Sequence, residues 1–411
     1  MNNKKSILIT ALLLAVGGGS AFALTPQEKL GKSIFFDQNL SINTNQSCAA
    51  CHAPGSGWTG PDAAINAAGS VYEGSIAGRF GNRKPPSSAY ATPSPILHFV
   101  VEKKEAVFIG GNLWDGRATG ETLGSPAAEQ AQGPFLNPLE QALPDAATVI
   151  GKICASTYAA DFLAVCGTNA CDTTDPANVS AAYDCVGLSV AAYEDSPEVN
   201  QYSSKYDAFL AGAMKLTKQE KDGLNLFKGK GKCANCHVLD PGPQGEPPLL
   251  TDFTYDNLGI PPNPDNPFYA AAPEFNPAGG KWIDLGLGGF LASRVDYEQF
   301  AAANYGKTKV PTLRNVDKWD PSLGVKVKAY GHNGYFKTLW QIVHFYNTRD
   351  AKPPGLNDFT RVEDALEQGC WPRPEIPVNV NTTELGDLKL TKAQEDAIVA
   401  FVQTLSDGYM P

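Results

Sequence analysis

Apolar residues spaced three or four positions apart predict amphipathic helices along much of this 411-residue chain. One predicted helix near the C-terminus begins with Thr391 and Gln394 at the spacing of a capping box. Its apolar stripe consists of Ile398, Phe401, Val402 and Leu405. Thr217 and Glu220 form the same kind of start for another helix. The alternation that is typical of strands is scarce, so the pattern predicts a mainly α protein.

The chain contains a weak internal repeat. The segments "LGKSIFFD" (30–37) and "GLNLFKGK" (223–230) share Gly-x-x-[Ile/Leu]-Phe, and each predicts a short helix that leads to a Cys-x-x-Cys-His sequence. Between 240 and 281 the chain is rich in Pro, Gly and Asn, which predicts a long ordered loop rather than a linker. The repeat and the length predict two mainly helical domains, residues 24–210 and 211–411.

The N-terminus predicts export. Lys4 and Lys5 precede the apolar run "ILITALLLAV", and the small-residue sequence "AFA" ends at Ala23, so residues 1–23 are expected to be a cleaved signal peptide. No later run is long and apolar enough to span a bilayer. We therefore expect a soluble mature protein in the periplasm. Removing two lysines changes the formal net charge from −10 to −12, which argues against nucleic acid and anionic membranes as partners.

Five of the nine cysteines lie outside the Cys-x-x-Cys-His sequences. Four of these, Cys154, Cys166, Cys171 and Cys185, are expected to form two disulfides in an oxidising compartment, and three pairings are open. Cys370 then has either a structural role or a free thiol.

The sequences "SCAACHAP" (47–54) and "KCANCHVL" (232–239) each contain the haem attachment signature. Two thiols at this spacing can bind the two vinyl groups of one porphyrin, and the next histidine becomes the proximal iron ligand. A redox dithiol is the alternative, but two motifs in one exported chain favour two covalently bound c-type haems. The expected attachment and proximal residues are Cys48, Cys51, His52, Cys233, Cys236 and His237.

Few residues remain for the opposite face of each iron. The methionines after the signal peptide are Met214 and Met410, and neither is well placed as a ligand. The other histidines are His98, His332 and His344. At least one iron is therefore expected to have an open or unusual sixth position, which can bind hydrogen peroxide. For His98 we expect a buried structural histidine.

Five further blocks carry a family resemblance: "LWDGRA" (113–118), "EQAQGPFLNPLEQ" (129–141), "KVPTLRNV" (309–316), "HNGYFKTL" (332–339) and "FYN" (345–347). In this order, the blocks resemble the bacterial di-haem cytochrome c peroxidase and MauG family. The resemblance implies two cytochrome c-like domains with long irregular loops, each holding one covalent haem. It also implies a peroxide-reacting N-terminal haem and an electron-transferring C-terminal haem.

The resemblance assigns roles to four residues around the N-terminal haem. Trp114 matches the tryptophan between the two haems, and the alternative is a core aromatic residue. Gln130, Pro134 and Glu140 match the distal pocket. The Glu140 carboxylate would move a proton between the oxygens of bound peroxide, and the alternative is a solvated loop residue.

Peroxidases of this family often carry a histidine that caps the N-terminal haem until reduction displaces it. The corresponding segment here, residues 74–91, has no histidine. The N-terminal haem is therefore expected to be open without reductive activation, as in MauG.

At the C-terminal haem the family ligand lies fourteen residues after the histidine of the "HNG" block. Counting from His332 leads to Tyr346, where typical peroxidases have Met and MauG-like members have Tyr. Helical spacing places Leu339, Ile342, Val343 and Tyr346 on one face. His344 points away from this face and is the rival ligand. We expect His332 to lie beside this haem without binding its iron.

Some positions depart from the family pattern. The asparagine of the inter-haem calcium site corresponds to Tyr90, and the two carbonyl ligands would come from Val327 and Ala329. The relay tryptophan of MauG corresponds to Gly231, so long-range oxidation would have to leave by another route. Residues 150–190 resemble an insertion.

Together these features predict a hydrogen-peroxide-dependent oxidoreductase of MauG type. A high-valent di-haem state would oxidise an amino-acid side chain of a partner protein. In the MbnH-like subgroup this reaction converts tryptophan to kynurenine. One alternative is a peroxidase that reduces hydrogen peroxide with electrons from a small cytochrome or cupredoxin. The other is a non-catalytic di-haem electron carrier.

Overall fold

The protein is mainly helical, as predicted. The structure, a computed structural model, describes residues 23–102, 105–242, 245–351 and 356–410. Apart from Ala23, the expected signal peptide lies outside these residues. Within them, no helix is both long and apolar enough to cross a bilayer.

Short turns and irregular segments connect the helices and four short strands of the described residues. The helices are α1 Pro26–Phe36, α2 Cys48–Cys51, α3 Ala63–Ala67, α4 Pro126–Leu136, α5 Ala146–Cys154, α6 Ala159–Cys166, α7 Pro176–Asp195, α8 Lys205–Leu210, α9 Lys218–Lys228, α10 Gly286–Leu291, α11 Leu339–Thr348, α12 Val362–Gln368 and α13 Lys392–Gln403. The strands are β1 His98–Glu102, β2 Glu105–Ile109, β3 Tyr255–Asp256 and β4 Thr308–Lys309. β1 pairs antiparallel with β2, and β3 pairs antiparallel with β4.

The repeated Gly-x-x-[Ile/Leu]-Phe marks two close helix crossings. A Cβ atom on Gly31 would lie 1.8 Å from the Ser189 carbonyl oxygen of α7, and one on Gly223 would lie 1.9 Å from the Ala397 carbonyl oxygen of α13. Only glycine therefore allows α1 to pack on α7 and α9 to pack on α13 so closely. The capping boxes predicted for α9 and α13 are both present.

Two large clusters of buried side chains form the core. The first is built mainly from α1, α4, α5 and α7, and the second from α9, α11 and α13. The predicted stripe residues of α13 and its C-terminal end are all buried in the second cluster. Leu249 packs in the first cluster although it follows residue 211 in the chain, so the packing is not divided cleanly there. The domain boundary stays a prediction.

Both predicted disulfides are present, and the structure resolves their pairing. Cys154 is bonded to Cys171, and Cys166 is bonded to Cys185. They join the end of α5 to the turn that follows α6, and the end of α6 to the middle of α7. Cys370 is a free thiol.

The segment 240–281 is an ordered loop, as predicted. Its described part contains β3 and two short 3-10 turns, and asparagine side chains tie it to its surroundings. Asn263 Nδ2 donates to the carbonyl of Asn333, and Asn266 Nδ2 donates to the carbonyl of Asn82. These bonds satisfy backbone groups that would otherwise be buried without partners.

The interpretation of His98 as a buried histidine is wrong. His98 begins β1 and is exposed, with Nδ1 2.8 Å from the Ile96 carbonyl oxygen. The hairpin of β1 and β2 contributes Phe108 to a small third cluster with Leu287 and Leu291 of α10. Most of β1 faces solvent because the two-stranded hairpin packs on only one side.

Candidate active site at two cavities

Each Cys-x-x-Cys-His motif lies on the wall of its own cavity. The first cavity has a volume of about 500 Å³, and the second has a volume of about 210 Å³. The first is lined by Cys48, Cys51 and His52, and the second by Cys233, Cys236 and His237. None of the four cysteines forms a disulfide, so their thiols are free for thioether bonds.

The two motif histidines are held in the form that binds a metal. His52 Nδ1 lies 3.2 Å from the Trp58 carbonyl oxygen, and His237 Nδ1 lies 2.9 Å from the Leu250 carbonyl oxygen. A ring nitrogen facing a carbonyl carries the proton, which leaves Nε2 as the free acceptor. Burial lowers the pKa of His52 to about 4 and also lowers the pKa of His237. Both imidazoles are therefore neutral at physiological pH.

Three residues that line these cavities each carry a buried polar atom without a hydrogen-bond partner among the described residues. These atoms are Gln46 Oε1 and Gln141 Oε1 at the first cavity and His332 Nδ1 at the second. Such atoms are rare in folded proteins and indicate a missing polar partner. Together with the free thiols and neutral histidines, they fit a covalently bound haem at each motif.

The predicted distal residues share the first cavity. Glu140, Gln130 and Pro134 all line it. Asn137 Nδ2 donates a hydrogen bond of 2.7 Å to Glu140 Oε1. Desolvation raises the pKa of Glu140, while Arg117 and Asn137 oppose this shift. A carboxyl with a raised pKa can accept and return a proton under mild conditions. The proposed role in peroxide chemistry stays a prediction.

Sequence analysis missed several charged residues of the first cavity, among them Arg117 and Glu194. Arg117 lines it and donates from Nη1 to Asp115 Oδ2 at 2.7 Å. Glu194 of α7 also lines it, and burial raises its pKa to about 8. Arg117 belongs to the "LWDGRA" block, and Glu194 lies four residues after Val190 on the buried face of a helix. Both signals were therefore present in the sequence.

Trp114 lines both cavities. Its side chain is buried, and its Nε1 donates a hydrogen bond of 2.8 Å to the Lys84 carbonyl oxygen. The imidazole of His332, on the wall of the second cavity, lies 6.5 Å from the indole, measured between ring centroids. Trp114 therefore lies between the two cavities, and both its position between two haems and its electronic role stay predictions.

A buried ion network fixes the segment beside Trp114. Arg83 donates from Nε and Nη2 to Asp284 and from Nη1 to Asp115, each at 2.6 Å. His332 Nε2 lies 3.8 Å from Asp284 Oδ2. Arg83 lowers the pKa of Asp284 despite its burial. The network joins residues distant in sequence and so sets the position of one cavity relative to the other.

In the second cavity, Tyr346 lies with the residues predicted to share its face. Leu339, Ile342, Val343 and Tyr346 all line this cavity. His344 does not line it, and its Nδ1 lies 2.8 Å from Glu395 Oε1. Burial raises the pKa of the Tyr346 hydroxyl, so a tyrosinate would need a nearby metal cation. Iron ligation by Tyr346 stays a prediction.

The residues expected at a calcium site are engaged elsewhere. The Tyr90 hydroxyl donates to Asp407 Oδ2 at 2.7 Å. The Val327 carbonyl oxygen accepts from Asn66 Nδ2 at 2.9 Å, and Ala329 lies on the wall of the second cavity. Calcium binding stays a prediction.

Known proteins resemble this arrangement over nearly the whole chain. Residues 25–215 match the family described as di-haem cytochrome c peroxidase. The methylamine utilization protein MauG of Paracoccus denitrificans (strain Pd 1222) is 33% identical over 381 residues, which span 92% of this chain and 88% of MauG. This chain belongs to the di-haem cytochrome c peroxidase and MauG family. It is therefore a peroxidase-like oxidoreductase, and the family implies two haems.

Solved structures agree with this assignment. The diheme peroxidase BthA from Burkholderia thailandensis E264 superposes with a TM-score of 0.75 and 30% identity, over 95% of this enzyme and 88% of BthA. A MauG-like protein associated with microbial copper homeostasis superposes with a TM-score of 0.59 and 20% identity, over 94% of this enzyme and 91% of that chain. At this identity the second likeness shows the fold alone.

Proposed function

We propose that the enzyme is of MauG type and uses hydrogen peroxide to oxidise an amino-acid side chain of a partner protein. The observation that carries the proposal is that Tyr346 lies on the wall of the second cavity, which His237 also lines. A tyrosinate ligand stabilises ferric and higher states of iron and so favours storing oxidising equivalents over delivering electrons. The narrower prediction is conversion of a partner tryptophan to kynurenine, as in the MbnH-like subgroup.

The first cavity supports the same proposal. Among the described residues that line it, His52 is the only histidine and no methionine is present. We therefore propose that the peroxide-reacting position is open in the fully oxidised enzyme.

The chain's own residues would position the reactants and move protons. The Glu140 carboxyl would hold the proton taken from peroxide, and Asn137 would orient it through its bond to Oε1. Trp114 would join the two cavities electronically. A haem bound at each motif would supply the redox-active iron that the polypeptide lacks.

Conventional peroxidase activity is the second candidate. The matched family is described as a peroxidase, and BthA is also a diheme peroxidase. In this case a small cytochrome or cupredoxin would supply the electrons, and Glu140 would keep its role. Family membership makes the third hypothesis, a non-catalytic carrier, the weakest.

Steady-state kinetics with a reduced small c-type cytochrome would separate the two activities. The MauG-type proposal expects slow cytochrome oxidation by peroxide, at a rate that does not rise when the enzyme is half-reduced beforehand. Rapid turnover that requires half-reduction would contradict it. A Tyr346→Met variant serves as the comparison and is expected to turn over the cytochrome faster.

The domain organisation and location remain part of the proposal. We propose two cytochrome c-like domains, residues 24–210 and 211–411, in a periplasmic enzyme. The two cavities, one with each attachment motif, support this division.

A further inference from the structure

A tryptophan, a histidine and a glutamate form a bonded cluster outside both cavities. Trp340 Nε1 donates to Glu395 Oε2 at 3.1 Å, and His344 Nδ1 lies 2.8 Å from Glu395 Oε1. The rings of Trp340 and His344 stack at 4.7 Å between centroids, with 14° between their planes. One carboxyl group therefore bonds two aromatic side chains that also contact each other.

The carboxyl of this cluster is buried where an apolar side chain would be the usual choice. Glu395 is 2% exposed and lies on the face of α13 that also buries Ile398 and Val402. Asn347 Nδ2 donates a third hydrogen bond to it at 2.6 Å. Burying a carboxyl is costly unless several hydrogen-bond partners surround it. Trp340, His344 and Asn347 of α11 are these partners.

The indole of Trp340 reaches the protein surface. It is partly exposed, and the Lys392 ammonium lies 5.5 Å from its ring centroid. A cation over the ring opposes oxidation of the indole, but Lys392 is itself paired with Asp396 at 2.8 Å. The Nε1 edge of the same ring donates to the buried Glu395 carboxyl.

The cluster lies one helix away from the second cavity. Leu339 and Val343 of α11 line that cavity, while Trp340 and His344 of the same helix turn toward α13. An α-helix with its side chains is about 10–12 Å across. The indole of Trp340 is therefore separated from the second cavity by no more than about the width of one helix.

Aromatic side chains also connect the cavity wall to the cluster. Ring centroids of Tyr346 and Phe345 are 6.1 Å apart, and those of Phe345 and Trp371 are 5.1 Å apart. Trp371 in turn lies 6.1 Å from His344, which stacks on Trp340. These contacts are continuous from the second cavity to the surface.

We propose that Trp340 is the site at which oxidising equivalents leave the enzyme for a protein partner. This inference rests on the proposed MauG-type function. Trp340 loses one electron toward the haem pair, and its Nε1 proton moves to Glu395 Oε2. A tyrosine or tryptophan of the partner then returns one electron to Trp340, while Glu395 returns the proton. Two such cycles supply the two electrons that one molecule of hydrogen peroxide accepts. The oxidised partner also releases two protons, and with these electrons and protons the hydrogen peroxide is reduced to two water molecules.

The test uses the diferric holoenzyme mixed with one equivalent of hydrogen peroxide and no partner. Freeze-quench electron paramagnetic resonance is expected to show a tryptophan radical in the wild type and none in Trp340→Phe. Peptide mass spectrometry after decay is expected to find added oxygen at Trp340. In Glu395→Gln the radical is expected to form about a hundredfold more slowly, which is the lower end of the effect of a positioned base.

Trp319→Phe is the matched control. Trp319 is also partly exposed, but its Nε1 donates to the Gly324 carbonyl oxygen at 3.1 Å and not to a carboxyl. This variant is expected to keep the radical signal. Glu395→Gln keeps the shape of the buried side chain, and the mass spectrum of the wild type needs no variant, so misfolding of Trp340→Phe would not hide the result.

The outcomes separate this inference from the proposed function. The proposed function predicts a near-infrared band in the peroxide-treated wild type, which reports coupling of the two haems. If this band forms but the radical signal and the oxidation products are unchanged in Trp340→Phe, the exit site is overturned and the proposed function stands. A wild type that gives no band until it is reduced overturns both. Loss of the radical in Trp340→Phe, with its retention in Trp319→Phe, supports the exit site.

Discussion

Replacing Glu140 by glutamine tests the chemistry of the first cavity. Glutamine has nearly the same shape but cannot take a proton from peroxide. A positioned general acid or base contributes about 10²–10⁴-fold to a rate, which corresponds to about 2.7–5.4 kcal/mol of barrier. We expect the second-order rate constant for peroxide to fall by about this factor in Glu140→Gln.

The pH dependence follows from the direction of the Glu140 pKa. Burial raises this pKa, and the proton acceptor is the ionised form. The wild-type rate should therefore be high at alkaline pH and fall as the pH drops through the raised pKa. This acidic limb should be absent in Glu140→Gln. In Asn137→Ala the limb should move to higher pH, because the variant loses the hydrogen bond that stabilises the carboxylate.

The size of the Asn137 effect can be bounded. A hydrogen bond to a charged group contributes about 1.5–3 kcal/mol, and about 1.4 kcal/mol is a factor of ten. The rate on the acidic limb should therefore fall at least about tenfold in Asn137→Ala. Stopped-flow absorbance of the haems measures each rate. Glu367→Gln, on the exposed face of α12, is the matched control. A Glu140→Gln rate within about threefold of the wild type, with the acidic limb kept, would refute the assignment.

Three further changes test other parts of the structure. Trp114→Phe keeps a ring between the cavities but removes the bond to Lys84, and we expect weaker coupling, seen as loss of near-infrared absorption after peroxide. Removing the Cys154–Cys171 disulfide, which spans 17 residues, should lower the free energy of unfolding by about 3 kcal/mol in urea titrations. In Asp207→Asn the buried Arg314 loses a charged partner at 2.9 Å, and the same titration should show a loss of about 3–5 kcal/mol. An unchanged midpoint for either stability variant would contradict the corresponding contact.

Local signals explain what could be predicted from the sequence. Each attachment motif places its chemistry within five residues, and a capping box is complete within four. The spacing along α11 separated the cavity face of Tyr346 from the position of His344, because helical geometry alone decides which side chains share a face.

Contacts between distant segments explain what could not be predicted. The disulfide pairing depends on how α5, α6 and α7 pack, which no spacing encodes. The bond between Trp340 and Glu395 joins residues 55 positions apart on two helices. The sequence did show that Glu395 lies three residues before Ile398, on the apolar stripe of α13. The prediction for His98 was wrong because "HFVVE" is apolar yet forms one side of a hairpin that packs on a single face.

Near-infrared and Mössbauer spectroscopy of the diferric enzyme, after one equivalent of hydrogen peroxide and with no reductant added, test the central claim most directly. The proposed function predicts a charge-resonance band and a changed spectrum at both irons, because it leaves the peroxide-reacting position at the first iron open and makes Tyr346 a ligand of the second iron. No reaction until the enzyme is half-reduced would contradict it and would favour a conventional peroxidase.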